Sequence, residues 1–194
     1  MISKERDLKK AVDEAVTVLR EGGIILYPTD TIWGLGCDAT NPKAVEKIYN
    51  IKRREEKKSL IMLVDGQDML ARYIKEVPEI AWELIELSDK PLTIIYPGVE
   101  GIAANAIPEE KTAAFRIPDH QFCQALIRKF RKPIISTSAN ISGSNAPNLF
   151  ESISIEIIEA ADWVAENSFE AGSTGKPSSI LMLGLGGEIK IIRQ

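Results

Sequence analysis

Apolar runs of four to six residues alternate with amphipathic helical stretches along the whole chain, and this alternation restricts the fold more than any other feature. "IILYP" (24–28), "SLIMLV" (59–64), "LTIIY" (92–96), "TAAFRI" (112–117) and "PIIS" (133–136) are strand-length runs. "DWVAE" (162–166), "SSILML" (178–183) and "EIKIIR" (188–193) close the series. Between them, Leu8, Val12, Ala15 and Leu19 share one helical face, which Gly22-Gly23 ends. Asn41 caps and Pro42 opens a helix that turns Val45, Ile48 and Tyr49 inward. Pro78 opens another with Ile80, Ala81, Leu84 and Ile85 inward, and Asp119 caps a third with Phe122, Leu126, Ile127 and Phe130 inward. A weaker helix covers 151–161. The pattern predicts an α/β fold, with a mixed sheet of about seven strands flanked by helices. No repeat, low-complexity stretch or linker interrupts it, so a single domain over 1–194 is expected, with no additional C-terminal domain.

A hydrophobic fraction of 44% lets such a domain bury a core without metals or disulfides. Cys37 and Cys123 are too few for a disulfide framework and read as small buried apolar residues. One histidine, His120, argues against a multi-histidine metal centre and reads as structural. No charged-then-apolar leader opens the chain, and no run reaches the ~18 apolar residues of a membrane span. A cytoplasmic protein is expected. The net charge of −4 gives no general attraction to nucleic acid.

One stretch breaks that acidity. "KRREEKK" packs five cations and two anions between Lys52 and Lys58. Cations near a helix C-terminus compensate the dipole at ~0.3–1 kcal/mol each, which accounts for one or two of them. Lys52 and Arg54, at i, i+2, do not share a helical face. In an extended exit from the helix they would lie on one side and could grip one polyphosphate. Charge pattern alone leaves an anion site and a solvated charged face equally open.

Other segments offer polar groups at strand ends. "YPTDTIWGLGCDA" (27–39) presents Thr29, Asp30 and Thr31, with Gly34 and Gly36 permitting tight turns; by itself an ordinary strand-to-helix turn explains it, and Trp33 reads as core. "ISTSANISGSNAPN" (135–148) gathers Ser136, Thr137, Ser138 and Asn140 where a buried strand ends, the place at which open α/β sheets bind ligands. Ser138 has no histidine partner in its own segment. In "FRIPDH" (115–120), Arg116 interrupts an apolar strand, which requires an acidic partner, a carboxylate ligand or water. "GSTGKPSS" (172–179) is not a phosphate-binding Walker loop, because the spacer is short and Pro177 follows the lysine. The long irregular segments 97–110 and 167–179 are candidates to border or close a site.

Taken in order, "YPTDTIWGLGCDA", Lys52-Arg53-Arg54, "FRIPDH", Ser138-Ala139-Asn140 within "STSAN" and "GKPSSI" resemble the YrdC/TsaC-like family of L-threonylcarbamoyladenylate synthases, from about Val12 to Arg193. The resemblance implies an open concave basic cavity and a nucleotidyltransferase reaction. L-threonine, bicarbonate and ATP would give L-threonylcarbamoyladenylate and pyrophosphate, for threonylcarbamoyl modification of adenosine in tRNA. It also implies roles. Lys52 and Arg54 would be catalytic and hold ATP phosphates, with Lys58, Thr112, Ser138, Asn140 and Arg193 as further ATP contacts. Thr31, Arg116, Ser136 and Ser178 would bind threonine. Mg2+ would arrive on the ATP phosphates, with no metal site of the protein's own. Downstream tRNA threonylcarbamoyl-transfer proteins would be partners. The chain departs from many relatives in Lys58-Ser59, in Ser178-Ser179, and in lacking a histidine near Leu63. Two alternatives stand beside this reading: a YciO-like paralogue, or a module that binds nucleotide or double-stranded RNA without the activity. The intact Ser138-Ala139-Asn140 favours the synthase, and the overall acidity makes RNA at most a weak partner.

Overall fold

The computed structural model describes residues 2–53 and 60–194. Helix α1 (Ile2–Arg20) leads into strands β1 (Ile25–Tyr27) and β2 (Gly34–Gly36) and helix α2 (Pro42–Ile51). Strand β3 (Ile61–Leu63), helices α3 (Gln67–Leu70) and α4 (Ile80–Leu87), and strands β4 (Leu92–Tyr96) and β5 (Ala113–Arg116) follow. Helix α5 (Gln121–Phe130), strand β6 (Ile134–Ser138), helix α6 (Ile155–Glu159) and strands β7 (Trp163–Val164), β8 (Ser179–Leu183) and β9 (Ile189–Arg193) complete the chain. The strands form one mixed sheet in the order β7-β1-β2-β6-β3-β5-β4-β8-β9. Among the described residues no helix is long and apolar enough to cross a membrane.

The sheet has nine strands, not about seven. The strand hidden from composition is β2, whose Gly-Leu-Gly sequence carries no β propensity. Its glycines serve close approach, not the tight turn expected of them. A Cβ on Gly36 would lie 2.6 Å from Tyr27 Cε1 and 2.8 Å from the Ile135 carbonyl oxygen. Only hydrogen fits between those neighbours, so β2 can pair antiparallel with both β1 and β6. Gly36→Ala is therefore expected to cost ~1–3 kcal/mol, read as a lower denaturant midpoint. An unchanged midpoint would mean that Tyr27 and the Ile135 backbone yield freely.

The helices follow their sequence signals closely. The Asn41 side chain accepts from the amides of Lys43 and Ala44, capping α2, and Lys52 is the residue that ends it. Leu19, Val45, Ile48, Ala81, Phe122, Leu126 and Ile127 are all buried, as their spacing predicts. Three boundaries differ: α4 begins at Ile80, two residues after Pro78, with Glu79 at its cap. The cap of α5 is His120, whose side chain makes no capping bond, and Asp119 lies one residue too early to serve. The helix expected over 151–161 splits into a 3-10 turn, Phe150–Ser152, and the short α6. Cys37 and Cys123 are free and buried, as small apolar residues would be.

The two long segments have different fates. Segment 97–110 is pinned beside the start of α2, where Asn105 Nδ2 donates to the Pro42 carbonyl at 2.8 Å and the Ala103 amide to Ala39 at 3.0 Å. Segment 167–179 runs along the loop between β1 and β2 and leads into β8.

Candidate functional site

A cavity of about 230 Å³ opens where β2, β3, β5 and β6 meet the last turn of segment 167–179. Thr31, Arg116, Ser136, Ser138, Ser178 and Arg193 line it together. These six residues span the chain from the first strand pair to the last strand, yet the sheet register collects them. Arg116 on β5 pairs with Thr93 on β4, Thr93 with Ile180 on β8, and Ile180 with Arg193 on β9. Paired residues project to the same face of a sheet, so Arg116, Thr93 and Arg193 form one polar row.

Arg116 is buried, at 4% exposure, beside the buried carboxylate of Asp30. Its NH1 donates to Asp30 Oδ1 at 2.5 Å and to Thr31 Oγ1 at 3.0 Å. Burial pushes the Asp30 carboxyl above the usual range, and the Arg116 charge pulls the other way. The Arg116 Nε is buried and has no partner among the described residues. An orphaned donor on a buried guanidinium is costly, and where Arg116 lines the cavity its guanidinium is available to a carboxylate ligand.

Proton bookkeeping defines what Thr31 can offer. Thr29 Oγ1 donates its one proton to the Ile32 carbonyl at 2.9 Å. In the 2.8 Å contact between the two threonine hydroxyls, Thr31 must then be the donor. Thr31 Oγ1 already accepts from Arg116 and keeps one lone pair. Towards a ligand it can only accept, which suits an ammonium, an amine or a hydroxyl donor.

The opposite wall is ordered by the second guanidinium. Arg193 Nε and NH2 donate to the Ser178 carbonyl at 2.9 and 2.8 Å. The Ser178 hydroxyl meets Thr93 Oγ1 at 2.7 Å. Burial lowers the Arg193 pKa, with the nearby positive charge of Arg116 acting in the same direction. Two guanidiniums thus face one small cavity, and no carboxylate is among its described lining residues. Asp30 offsets the charge of Arg116, and Arg193 keeps the cavity favourable to an anionic group.

Lys52 stands behind the β6 end of this wall. Its ammonium donates to the carbonyls of Ser138 at 2.6 Å and Asn140 at 2.8 Å, and its own carbonyl accepts from the Ser142 amide at 3.0 Å. Asn140 turns inward on its loop, donating to the Ser144 carbonyl at 2.6 Å and the Ile141 carbonyl at 3.0 Å. It does not line the cavity. Thr112 sits at the N-terminal end of β5, away from Arg116, and is not a lining residue either. Arg54 and Lys58 lie outside the described residues. Arg53, in a left-handed conformation with φ 49°, forms an exposed ion pair with Glu156.

The chain as a whole matches a known family. A family model, Sua5_yciO_yrdC, with the description telomere recombination, matches residues 17–194. The chain belongs to the Sua5/YciO/YrdC family. It is 33% identical over 140 residues to threonylcarbamoyl-AMP synthase of Pseudoalteromonas translucida, covering 71% of this chain and 75% of that protein. A solved structure of P. abyssi Sua5 superimposes with a TM-score of 0.83 at 28% identity, over 94% of this chain and 55% of that one. P. abyssi Sua5 complexed with L-threonine superimposes with a TM-score of 0.76 at 27% identity, over 89% of this chain and 50% of that one. The chain therefore spans about half the length of the Sua5 chains it matches.

Within this Sua5/YciO/YrdC domain, sequence reasoning missed Thr93 and Glu170 and left open what Arg116 pairs with. Thr93 carried a signal, because it is the lone aliphatic hydroxyl in the buried strand "LTIIY". Glu170, which accepts hydrogen bonds from Trp33 Nε1 and from the Phe150 amide, carried none. His120 donates Nε2–H to the Phe169 carbonyl at 3.0 Å, since a carbonyl can only accept. Burial lowers its pKa, so the ring is neutral, and it makes no bond to Ser138.

Proposed function

We propose that this protein is a threonylcarbamoyl-AMP synthase, converting L-threonine, bicarbonate and ATP to L-threonylcarbamoyl-AMP, pyrophosphate and water. The observation that carries the reading is the Arg116–Thr31 corner. A buried guanidinium that lines the cavity stands 3.0 Å from a hydroxyl that can only accept. Such a corner takes the carboxylate of an α-amino acid on Arg116 and a donor of the same molecule on Thr31. The curated relative named threonylcarbamoyl-AMP synthase and the L-threonine complex of P. abyssi Sua5 support it, against a YciO-like or purely binding alternative.

The chemistry is an enzyme's, and we assign it to nucleotidyl transfer. The threonine amine joins bicarbonate to form a carbamate, with loss of water. A carbamate oxygen then bonds to the α-phosphorus of ATP, the bond from that phosphorus to the bridging oxygen breaks, and pyrophosphate leaves. Charge develops on phosphate oxygens, so cations and hydroxyls held in place are the means of acceleration. Arg193, Ser136, Ser138 and the loop held by Lys52 are the groups available, with Arg54 and Lys58 proposed beside them. Asn140 and Thr112 would act through the order of their loops. The described lining residues offer hydroxyls and guanidiniums, not carboxylates, so a Mg2+ ion would fit among them only on the oxygens of a bound phosphate. When bound, it would neutralise phosphate charge. The product is a mixed anhydride and hydrolyses readily, which calls for tRNA threonylcarbamoyl-transfer proteins close at hand in the cytoplasm. Weak RNA binding, if it assists that handover, would fall steeply with salt.

The purified protein is expected to release pyrophosphate from ATP only when threonine and bicarbonate are both present. Equal release without threonine would refute the assignment.

A further inference from the structure

One strap claims three consecutive carbonyls of the loop that carries Thr31. Ser173 Oγ donates to the Thr29 carbonyl at 2.5 Å, the Thr174 amide to Asp30 at 2.9 Å and the Gly175 amide to Thr31 at 2.8 Å. Directly beyond it, Pro177 and Ser178 reach the cavity wall. At its near end stands Glu170, whose Oε2 accepts from both the Trp33 indole and the Phe150 amide, the latter at 2.7 Å. The Trp33 and Phe150 rings pack with centroids 5.0 Å apart. Glu170 is partly exposed and does not itself line the cavity.

We propose that Glu170 is a positioning residue for the amino-acid half of the cavity. Through Trp33 and the strap it sets the separation of Thr31 from Ser178. The argument is geometric. Thr31 and Ser178 are held on different segments, and the strap ties them through its Gly175 amide, with Glu170 anchoring the strap's start to Trp33 and Phe150. A carboxylate that takes two N–H donors is a stronger anchor than neutral partners would be, because the acceptor is charged. Without it, Trp33 and the Phe150 amide lose their acceptor and the Glu170 end of the strap is released, which leaves Ser173, Thr174 and Gly175 alone to hold the Thr31 loop. Misplacement of positioning groups weakens the ligand they face, while groups on the far wall keep theirs. The inference rests on reading the cavity as a threonine site.

The test uses the full chain, with threonine binding measured by calorimetry and steady-state kinetics in threonine and ATP. Glu170→Ala is expected to raise the threonine Kd and KM about tenfold, the scale of one lost charged hydrogen bond. Its kcat at saturating threonine and its KM for ATP should stay within about twofold. Since one oxygen takes both donors, Glu170→Gln keeps an acceptor in place and should stay within about threefold of wild type. Ser173→Ala, which severs only the hydroxyl bond to Thr29, should weaken threonine about threefold and serves if Glu170→Ala does not fold. A Glu170→Ala protein that binds threonine like wild type would overturn the inference alone. So would equal losses towards threonine and ATP, or a Gln variant as impaired as the Ala variant. A wild-type protein that does not bind threonine would overturn the reading beneath it, and the inference with it.

Discussion

Arg116→Ala is expected to abolish measurable threonine binding and to lower stability by ~3–5 kcal/mol, because it strands the buried Asp30 carboxylate. Both partners are 4% exposed, so water cannot replace the guanidinium. The pH dependence follows from the direction of the shift. Burial already raises the Asp30 pKa, and Arg116 opposes that rise. Removing Arg116 raises it further. A carboxyl with a raised folded pKa is tolerated while protonated, and the stability it then permits is lost as pH climbs through the folded value. The deficit of Arg116→Ala relative to wild type should therefore be largest at neutral pH and shrink as the pH falls towards the ordinary carboxylate range. Denaturant melts at neutral and mildly acidic pH read this directly, and a deficit that grows on acidification would contradict it. Arg116→Lys supplies the contrast. A lysine charge can neutralise Asp30 and recover much of the stability, but it lacks the fork that reaches Thr31 and a ligand carboxylate together. Restored threonine affinity in the lysine variant would refute the bidentate role.

Lys52→Ala is expected to reduce turnover at least about a hundredfold, the scale of losing one preorganised electrostatic group. Part of that loss comes from the order of the β6 end, a role that charge patterning does not suggest. The ammonium is buried, at 4% exposure, and bonds to the Ser138 and Asn140 carbonyls. Its removal takes a donor from the Ser138 and Asn140 carbonyls, leaving Ser138 only the Asn140 amide among the described residues, and frees the end of β6, at ~1–3 kcal/mol. Lys52 therefore acts at least in part by holding Ser138 at the cavity. Lys52→Met keeps the apolar stem and isolates the charge. If Lys52→Met retained full turnover, neither the loop-holding role nor a direct phosphate contact would survive.

The alternation of apolar runs was enough to read an α/β sheet and most helices, because burial at period 2 or 3.6 is a local property of the chain. Asn41-Pro42 and the inward faces of α1, α2 and α5 were legible for that reason. β2 was not. Its glycines carry no strand signal, and its pairing depends on Tyr27 and Ile135, one near in sequence and one far. The candidate site was legible in its residue types. A lone arginine in "TAAFRI" and a hydroxyl cluster after "PIIS" both end at one cavity. Their chemistry was half legible, since the spacing around Lys52 suggested an outward grip and gave no sign of the carbonyls it meets.

By itself, then, the sequence determined the class of fold, the family and the chemistry of six residues that come to share a cavity. Tertiary structure alone decided the partners: Asp30 for Arg116, Thr93 for Ser178, Ser138 for Lys52, and Glu170 for Trp33. Periodicity and motif are written in neighbouring residues, whereas each of these contacts closes a loop of 85 to 137 residues. Which donor meets which acceptor across such a loop is set by sheet register and packing, and no local pattern encodes it.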